Sequence, residues 1–145
     1  MRVLTLFLLF FSTAIFAQVD TQTRFNSDSR QYYVWNDASN SYLLQETEYE
    51  HSQIDIREIG SKSNGYIVIG LVDNGKSRLF HGSITAFSTN EKKEGTWQMR
   101  SKTMKGKLTY NPAENTFTYL YDANEKRYQR ILIFTVNPQE EELPK

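Results

Sequence analysis

Two Asn-Gly pairs constrain the fold of this chain more than any other feature of its sequence. Asn64-Gly65 and Asn74-Gly75 each lie between runs of apolar and β-branched residues. Asn-Gly adopts the positive φ angles of a type I′ turn, the tight turn whose twist matches that of two antiparallel strands. The stretch from 52 to 87 is therefore predicted to form a meander of three antiparallel strands.

Short segments in which apolar and polar residues alternate continue along the rest of the chain. Turn-forming residues separate them at intervals of about ten residues, which is typical of an all-β sandwich or barrel. The predicted strands are 31–35, 42–49, 53–59, 66–72, 78–87, 96–101, 107–110, 116–121 and 127–136. No segment has a convincing helical pattern. We predict a single small antiparallel β-barrel of eight or nine strands, because closure removes exposed sheet edges. A two-sheet β-sandwich remains the alternative.

The predicted layout is similar to that of calycins, the group that includes lipocalins and fatty-acid-binding proteins. In those barrels a Trp near the first strand packs against a basic residue of the last strand. Here Trp35 lies in the first predicted strand, and Arg127 and Arg130 lie in the last. The sequence before Trp35 is Tyr33-Val34 instead of the Gly-x of lipocalins, and the helices that cap fatty-acid-binding barrels are missing. The similarity therefore concerns the layout of strands and does not give a function.

The N-terminus resembles a secretory signal. Arg2 precedes an apolar run, 3–16, which is shorter than the roughly 20 residues needed to span a bilayer. Small residues then offer cleavage sites after Ala14 or Ala17, so we predict a cleaved signal peptide at 1–17; an uncleaved anchor is the alternative. We expect no stable membrane insertion after cleavage.

Three further regions follow from the pattern of polar residues and strands. The polar stretch 18–30 is predicted to be a flexible leader, and 31–136 the antiparallel β domain. The acidic, proline-containing stretch 137–145 is predicted to be a disordered tail.

Composition excludes several classes of function. The chain has no cysteine, which excludes disulfides, thiolate metal sites and a cysteine nucleophile. An exported domain without disulfides fits a bacterial periplasmic or secreted protein better than a small eukaryotic extracellular module. Charge is balanced, with 17 basic and 17 acidic residues, so nucleic acid is disfavoured as a partner.

Histidine, the commonest metal ligand and general base, occurs only as His51 and His81. A metal site takes three or four protein ligands, so His51 would need the alternating glutamates of 46–50, which we interpret as a solvated strand face. His81 shares a predicted strand face with Ser83, but the chain has no Gly-x-Ser-x-Gly motif. We therefore predict no metal, no cofactor and no catalytic residue, and a hydrolase using His81 is the least favoured function.

Aromatic and arginine side chains form the most promising candidate set for a binding site. Tyr and Trp provide an apolar surface with a hydrogen-bonding tip, and Arg matches carboxylate or phosphate with a planar fork. On the last predicted strand Arg130 shares a face with Leu132 and Phe134, so an inward-facing Arg130 needs a protein carboxylate or an anionic ligand. The predicted ligand-binding residues are Arg130, Tyr128, Trp35, Trp97, Arg78 and His81.

A basic run at Arg100, Lys102, Lys105 and Lys107 provides a second candidate anion site. Lysine on an edge strand also prevents sheet-to-sheet association, and this interpretation is preferred for the run.

These observations favour an exported, non-enzymatic β-barrel that binds a small amphipathic or anionic ligand. The alternative is a structural or interaction protein of the cell envelope, with a filled core and a protein partner. The sequence identifies neither the ligand nor the partner.

Overall fold

The structure, a computed structural model, describes residues 20–138 and consists of antiparallel strands. The described part contains no helix, and so none that is long and apolar enough to cross a membrane. The nine strands are β1 Asp20–Asn36, β2 Ser41–Glu48, β3 Ser52–Ile59, β4 Ser61–Asp73, β5 Lys76–Thr89, β6 Gly95–Arg100, β7 Lys105–Asn111, β8 Thr116–Ala123 and β9 Tyr128–Val136.

The strands close into a barrel. Strands β3 to β9 pair with their neighbours in chain order, and β1 pairs with both β3 and β9. This makes an eight-stranded antiparallel barrel with β2 as one extra strand. The predicted all-β barrel is confirmed in preference to the sandwich.

The long first strand serves two sets of neighbours. Its first half pairs with β3 up to Ser27, and its second half pairs with β9 on one edge and with β2 on the other. β2 therefore pairs with the same edge of β1 as β3 does, but further along β1, and it projects beyond the end of the barrel. Within residues 20–138 the outer edge of β2 has no partner strand.

The predicted flexible leader is wrong for residues 20–30, which form the first part of β1. Their polar side chains gave no strand pattern, but their backbone is held by hydrogen bonds to β3 and β9. The predicted signal peptide, 1–17, and residues 139–145 of the predicted tail, 137–145, lie outside the described residues. Asn137 is described, and its backbone N–H donates to the carbonyl of Asn26.

The two Asn-Gly pairs behave differently. Asn74 and Gly75 both have positive φ and join β4 to β5 in the predicted tight turn. Asn64-Gly65 does not form the predicted turn, because the chain already reverses at Gly60 and Gly65 lies opposite Glu58 beside a bulge. The meander of β3, β4 and β5 is nevertheless present.

Side chains from all eight barrel strands fill the interior. Alternate residues of β8 and β9 are buried, and Trp97 and Met99 of β6 point inward as their alternation predicts. A bulge in β5 between Ile84 and Ala86 shifts the alternation, so that Phe87 packs against the core instead of facing outward.

Candidate functional site

One end of the barrel forms an open mouth. The ends of β6 and β8 and the beginnings of β5, β7 and β9 meet there, together with the β6–β7 loop 101–104 and the β8–β9 loop 124–127. They surround a depression of about 1080 Å³. We call this depression, with the side chains around it, the mouth.

The mouth carries more positive than negative charge. Five cationic side chains border it against two carboxylates, those of Asp122 and Glu125. The cations are Arg78, Arg100, Lys102, Lys105 and Arg130. At the opposite end of the barrel the β5–β6 loop is charge-balanced, because Lys92 and Lys93 are flanked by Glu91 and Glu94.

Arg130 lies on the inward face of β9, at the level where the barrel opens. Its Nε is 3.0 Å from the carboxylate of Asp122, and one terminal nitrogen donates to the hydroxyl of Tyr32. Partial burial works against the charged form, but Tyr32 and Asp122 outweigh it and raise the pKa of Arg130. The inward-facing arginine thus has the protein carboxylate that its position requires, and its role as an anion anchor stays a prediction.

Arg78 also has a carboxylate partner. Its guanidinium is 3.4 Å from Asp73 and lies 5.3 Å from the ring centroid of Phe80. The two arginines singled out from the sequence therefore border the same mouth, although each is already paired with an acid of the protein.

Aromatic rings form the floor of the mouth. Phe80 contacts Tyr119 and Tyr121 with ring-centroid distances of 5.4 and 5.0 Å, and the two tyrosines stack at 5.0 Å. Burial raises the pKa of Tyr121 to about 12 and raises that of Tyr119 further. Both phenols are therefore neutral at physiological pH, and the floor is an uncharged, largely apolar surface.

The projecting hairpin of β1 and β2 makes one side of the mouth higher than the other. Cross-strand pairing places Leu43, Val34, Arg130 and Tyr121 in one row across β2, β1, β9 and β8. Directly paired residues project from the same face of a sheet, so Leu43 and Val34 extend the apolar inner wall above Arg130. Leu43 is 40% exposed.

The β6–β7 hairpin lies across the barrel from this high wall. It carries Arg100, Lys102 and Lys105, all exposed, and none of the three has a carboxylate within ion-pair distance among residues 20–138. Met104 of the same hairpin packs against the core, where its sulfur accepts a hydrogen bond of 3.4 Å from the hydroxyl of Tyr119. The unpaired positive charge of the mouth is thus concentrated on one anchored hairpin.

His81 lies outside the barrel, in a groove of about 520 Å³ that also borders Arg100 and Lys102. Its side chain is exposed and makes no hydrogen bond to a serine within the part of the chain that the structure describes. No group of three or more His, Asp or Glu side chains in residues 20–138 is arranged to hold a metal ion.

The remaining predicted ligand-binding residues lie away from the mouth depression. Trp97 is buried in the core, 5.0 Å from Phe87 between ring centroids, and its indole N–H has no hydrogen-bond partner among residues 20–138. Trp35 packs edge-on against Tyr42, and the guanidinium carbon of Arg127 is 3.8 Å from its ring centroid. The Trp–basic contact that the calycin-like layout implied is present, between the first strand and the residue just before β9.

Tyr128 is the last of the predicted ligand-binding residues, and it contacts Tyr42 through its backbone. Its carbonyl accepts a hydrogen bond of 2.7 Å from the hydroxyl of Tyr42.

Sequence reasoning missed a buried ion pair at the base of the projecting hairpin. Arg30 is 1% exposed and pairs with Glu48, while its terminal nitrogens donate to Ser52 Oγ at 2.9 Å and to the carbonyl of Val72. Burial raises the pKa of Glu48, although Arg30 opposes this effect. The interpretation of 46–50 as a solvated face is therefore wrong for Glu48.

Glu50 also departs from that interpretation, because its carboxylate accepts a hydrogen bond of 3.0 Å from the backbone N–H of Asn74. The sequence pattern indicated only weakly that Glu48 and Glu50 have partners within the protein. Extending the alternation of the first strand back to Arg30 would have placed it on the face of Tyr32 and Val34.

A scan against protein-family models, a search of curated proteins and a search of solved structures each found no match to this chain.

Proposed function

We propose that this chain is an exported, non-enzymatic binding module whose mouth takes a small anionic amphiphile. The observation that carries the proposal is the meeting of unpaired cations and an aromatic floor at one open end of the barrel. Export rests on Arg2 and the apolar run 3–16, which match a secretory signal.

The two surfaces of the mouth suit the two parts of such a ligand. The apolar part would lie over Phe80 and Tyr121, which are only 7% and 5% exposed, and against Leu43, which is 40% exposed and supplies most of the apolar area that binding would remove from water, at roughly 25 cal/mol per Å². The anionic part would lie against the β6–β7 hairpin, whose cations have no competing carboxylate partner within the described residues 20–138. Sites of this kind combine a largely apolar wall with a few placed polar groups.

The test uses two anionic amphiphiles of equal chain length, dodecanoate and dodecyl phosphate, and the neutral dodecyl maltoside, all below their micelle concentrations. Binding to the intact protein is measured by calorimetry and located by amide chemical shifts. We expect both anions to bind, with shifts in the loops 101–104 and 124–127, and the neutral amphiphile to bind at least tenfold more weakly.

A matched pair of variants locates the charge effect. Lys102→Gln/Lys105→Gln removes two exposed lysines at the mouth, and Lys92→Gln/Lys93→Gln removes two exposed lysines at the opposite end. We expect the first to weaken both anions several-fold and the second to leave them unchanged. The proposal is refuted if neither anion binds, or if both variants bind as the wild type does.

A second candidate function is an envelope interaction protein that acts through β2. Among the described residues this strand has an outer edge without a partner strand, and it carries Leu43 and Leu44, which are 40% and 49% exposed, with Tyr49 just beyond it at 80%. Such an edge can pair with a strand of another protein. If cross-linking in the producing cell captures a partner, Leu44→Arg should abolish capture; unchanged capture would exclude β2.

A further inference from the structure

Two like charges face each other in the β6–β7 hairpin. Arg100 and Lys105 are directly paired across the two strands. Their neighbours Met99 and Gly106 are buried, so by strand alternation both cations project from the outward face, at the rim where they also border the mouth. Like charges directly opposite each other destabilise a sheet, and an anion that bridges the pair would remove this repulsion.

The hairpin is held in a way that keeps the two charges together. The backbone N–H of Ser101 donates to the carbonyl of Met104 at 2.8 Å, which closes the loop. Met104 is anchored at the Tyr119 hydroxyl, and a Cβ at position 106 would lie 2.7 Å from the Tyr119 ring. Because Gly106 packs this tightly on the barrel floor, the start of β7 has little room to move Lys105 away from Arg100.

The third cation of the hairpin lies between the two strands. Lys102 is in the loop that connects Arg100 to Lys105, and it borders both the mouth and the outer groove that contains His81. Asp73 and Asp122 pair with the other two cations of the mouth, whereas the three positive charges within residues 100–105 have no acid partner among residues 20–138.

We infer that this hairpin is a phosphate-binding site, and that the anionic group of the mouth's ligand is a phosphate monoester. The inference rests on the proposed function and specifies its ligand. A carboxylate has one negative charge and would meet one of the three cations. A phosphate monoester carries roughly −1.5 to −2 at pH 7 and has three strong acceptor oxygens, and the guanidinium of Arg100 matches two of them.

The phosphate is either that of a lipid headgroup or that of a soluble phosphate compound, and the experiment separates these two sources. The probes are dodecyl phosphate, dodecanoate, inorganic phosphate, and vesicles of phosphatidylcholine with and without phosphatidic acid, each added to the intact protein. We expect dodecyl phosphate to bind at least tenfold more tightly than dodecanoate, with the largest amide shifts at 100–105. Binding only to the phosphatidic acid vesicles and to dodecyl phosphate supports a lipid source, and competition by inorganic phosphate supports a soluble one.

The variant Lys105→Glu tests the bridging role by a readout that needs no amphiphile. Glu opposite Arg100 forms a cross-strand ion pair, so without any anion the variant should melt at a higher temperature than the wild type. Inorganic phosphate should raise the melting temperature of the wild type and should not raise that of the variant. The control Lys93→Glu makes the same change of charge at the opposite end and should keep the phosphate effect.

Two results overturn the inference. The first is equal affinity for dodecanoate and dodecyl phosphate, which would leave the proposed function intact but reject phosphate as its ligand group. The second is a Lys105→Glu variant that folds and binds dodecyl phosphate as the wild type does. Absence of binding by every amphiphile would instead refute the proposed function itself.

Discussion

The buried arginine at the base of the β1–β2 hairpin allows a quantitative prediction, the effect of Arg30→Met on stability. Met keeps much of the apolar stem but removes the guanidinium, which is within hydrogen-bond distance of Ser52 and Val72. Ser52 is 1% exposed, so its hydroxyl would lose its donor without access to bulk water. A buried polar group that loses its partner costs about 1–3 kcal/mol, so Ser52 and the carbonyl of Val72 together lead us to expect a loss of about 2–6 kcal/mol.

The assay is urea unfolding of the intact protein, in which a lower midpoint with an unchanged slope reports lost stability. Arg24→Met is the matched control, because Arg24 lies on the same strand and its ion pair with Asp55 is largely exposed at the arginine. An exposed pair contributes about 0–1 kcal/mol, so this variant should lose no more than that. Adding Glu48→Leu to Arg30→Met should recover part of the loss, because it removes the carboxylate left without a cation.

The reasoning is refuted if Arg30→Met costs less than about 1 kcal/mol, or no more than the exposed control. Either result would mean that water or a rearranged backbone replaces the guanidinium at Ser52 and Val72.

Two further predictions concern pH and backbone conformation. Burial raises the folded-state pKa of Glu48 above its ordinary value of 4.5, so between that value and the raised pKa the folded chain binds more protons than the unfolded chain. The free energy of unfolding therefore falls as the pH rises through this range, and Glu48→Gln should abolish that slope in urea unfolding measured from about pH 4 to pH 7. Equal slopes for the wild type and the variant would contradict this prediction. Gly65 has φ +134°, and a Cβ there would lie 1.9 Å from the carbonyl oxygen of Arg57, whereas Gly75 has φ +76° and open space. Gly75→Ala should cost about 1–2 kcal/mol and Gly65→Ala clearly more; equal losses in thermal melts would refute the steric argument.

The strands themselves could be predicted because each carries its own signal. In β8 the alternation of aromatic residues with Thr116, Thr118 and Leu120 marks an inward face, and Phe117 and Tyr119 are fully buried as that alternation requires. The turn at Asn74-Gly75 was equally local, since two consecutive residues with positive φ suffice to reverse a two-strand ribbon. For such elements four to eight residues contain the whole physical cause.

The first half of β1 could not be predicted in this way. Its sequence is polar, and its strand conformation comes from backbone pairing with β3 and β9, which are distant in the chain. The same holds for Asn64-Gly65, where the register of β3 against β4 moves the reversal to Gly60. Long-range pairing outweighs local turn preference at these places.

The candidate site shows the same difference between what local sequence predicts and what long-range strand pairing decides. The sequence identified Arg78 and Arg130 as unusual cations and noted the basic run at Arg100, Lys102 and Lys105, but it could not place these two groups at one end of a barrel. Nor could it show that Asp73 and Asp122 pair with the first group while the second has no acid partner in the described part of the chain. Those pairings depend on register across strands.

By itself, the sequence established that this protein has no cysteine and predicted an all-β chain of about nine strands, because alternation and turn chemistry act within a few residues. Only the tertiary structure decided that β1 closes the barrel with β9, that Arg30 is buried, and that Arg100 faces Lys105. Each of these depends on which strands become neighbours and in what register. That choice is made by the free energy of the whole closed sheet, and no single segment contains it.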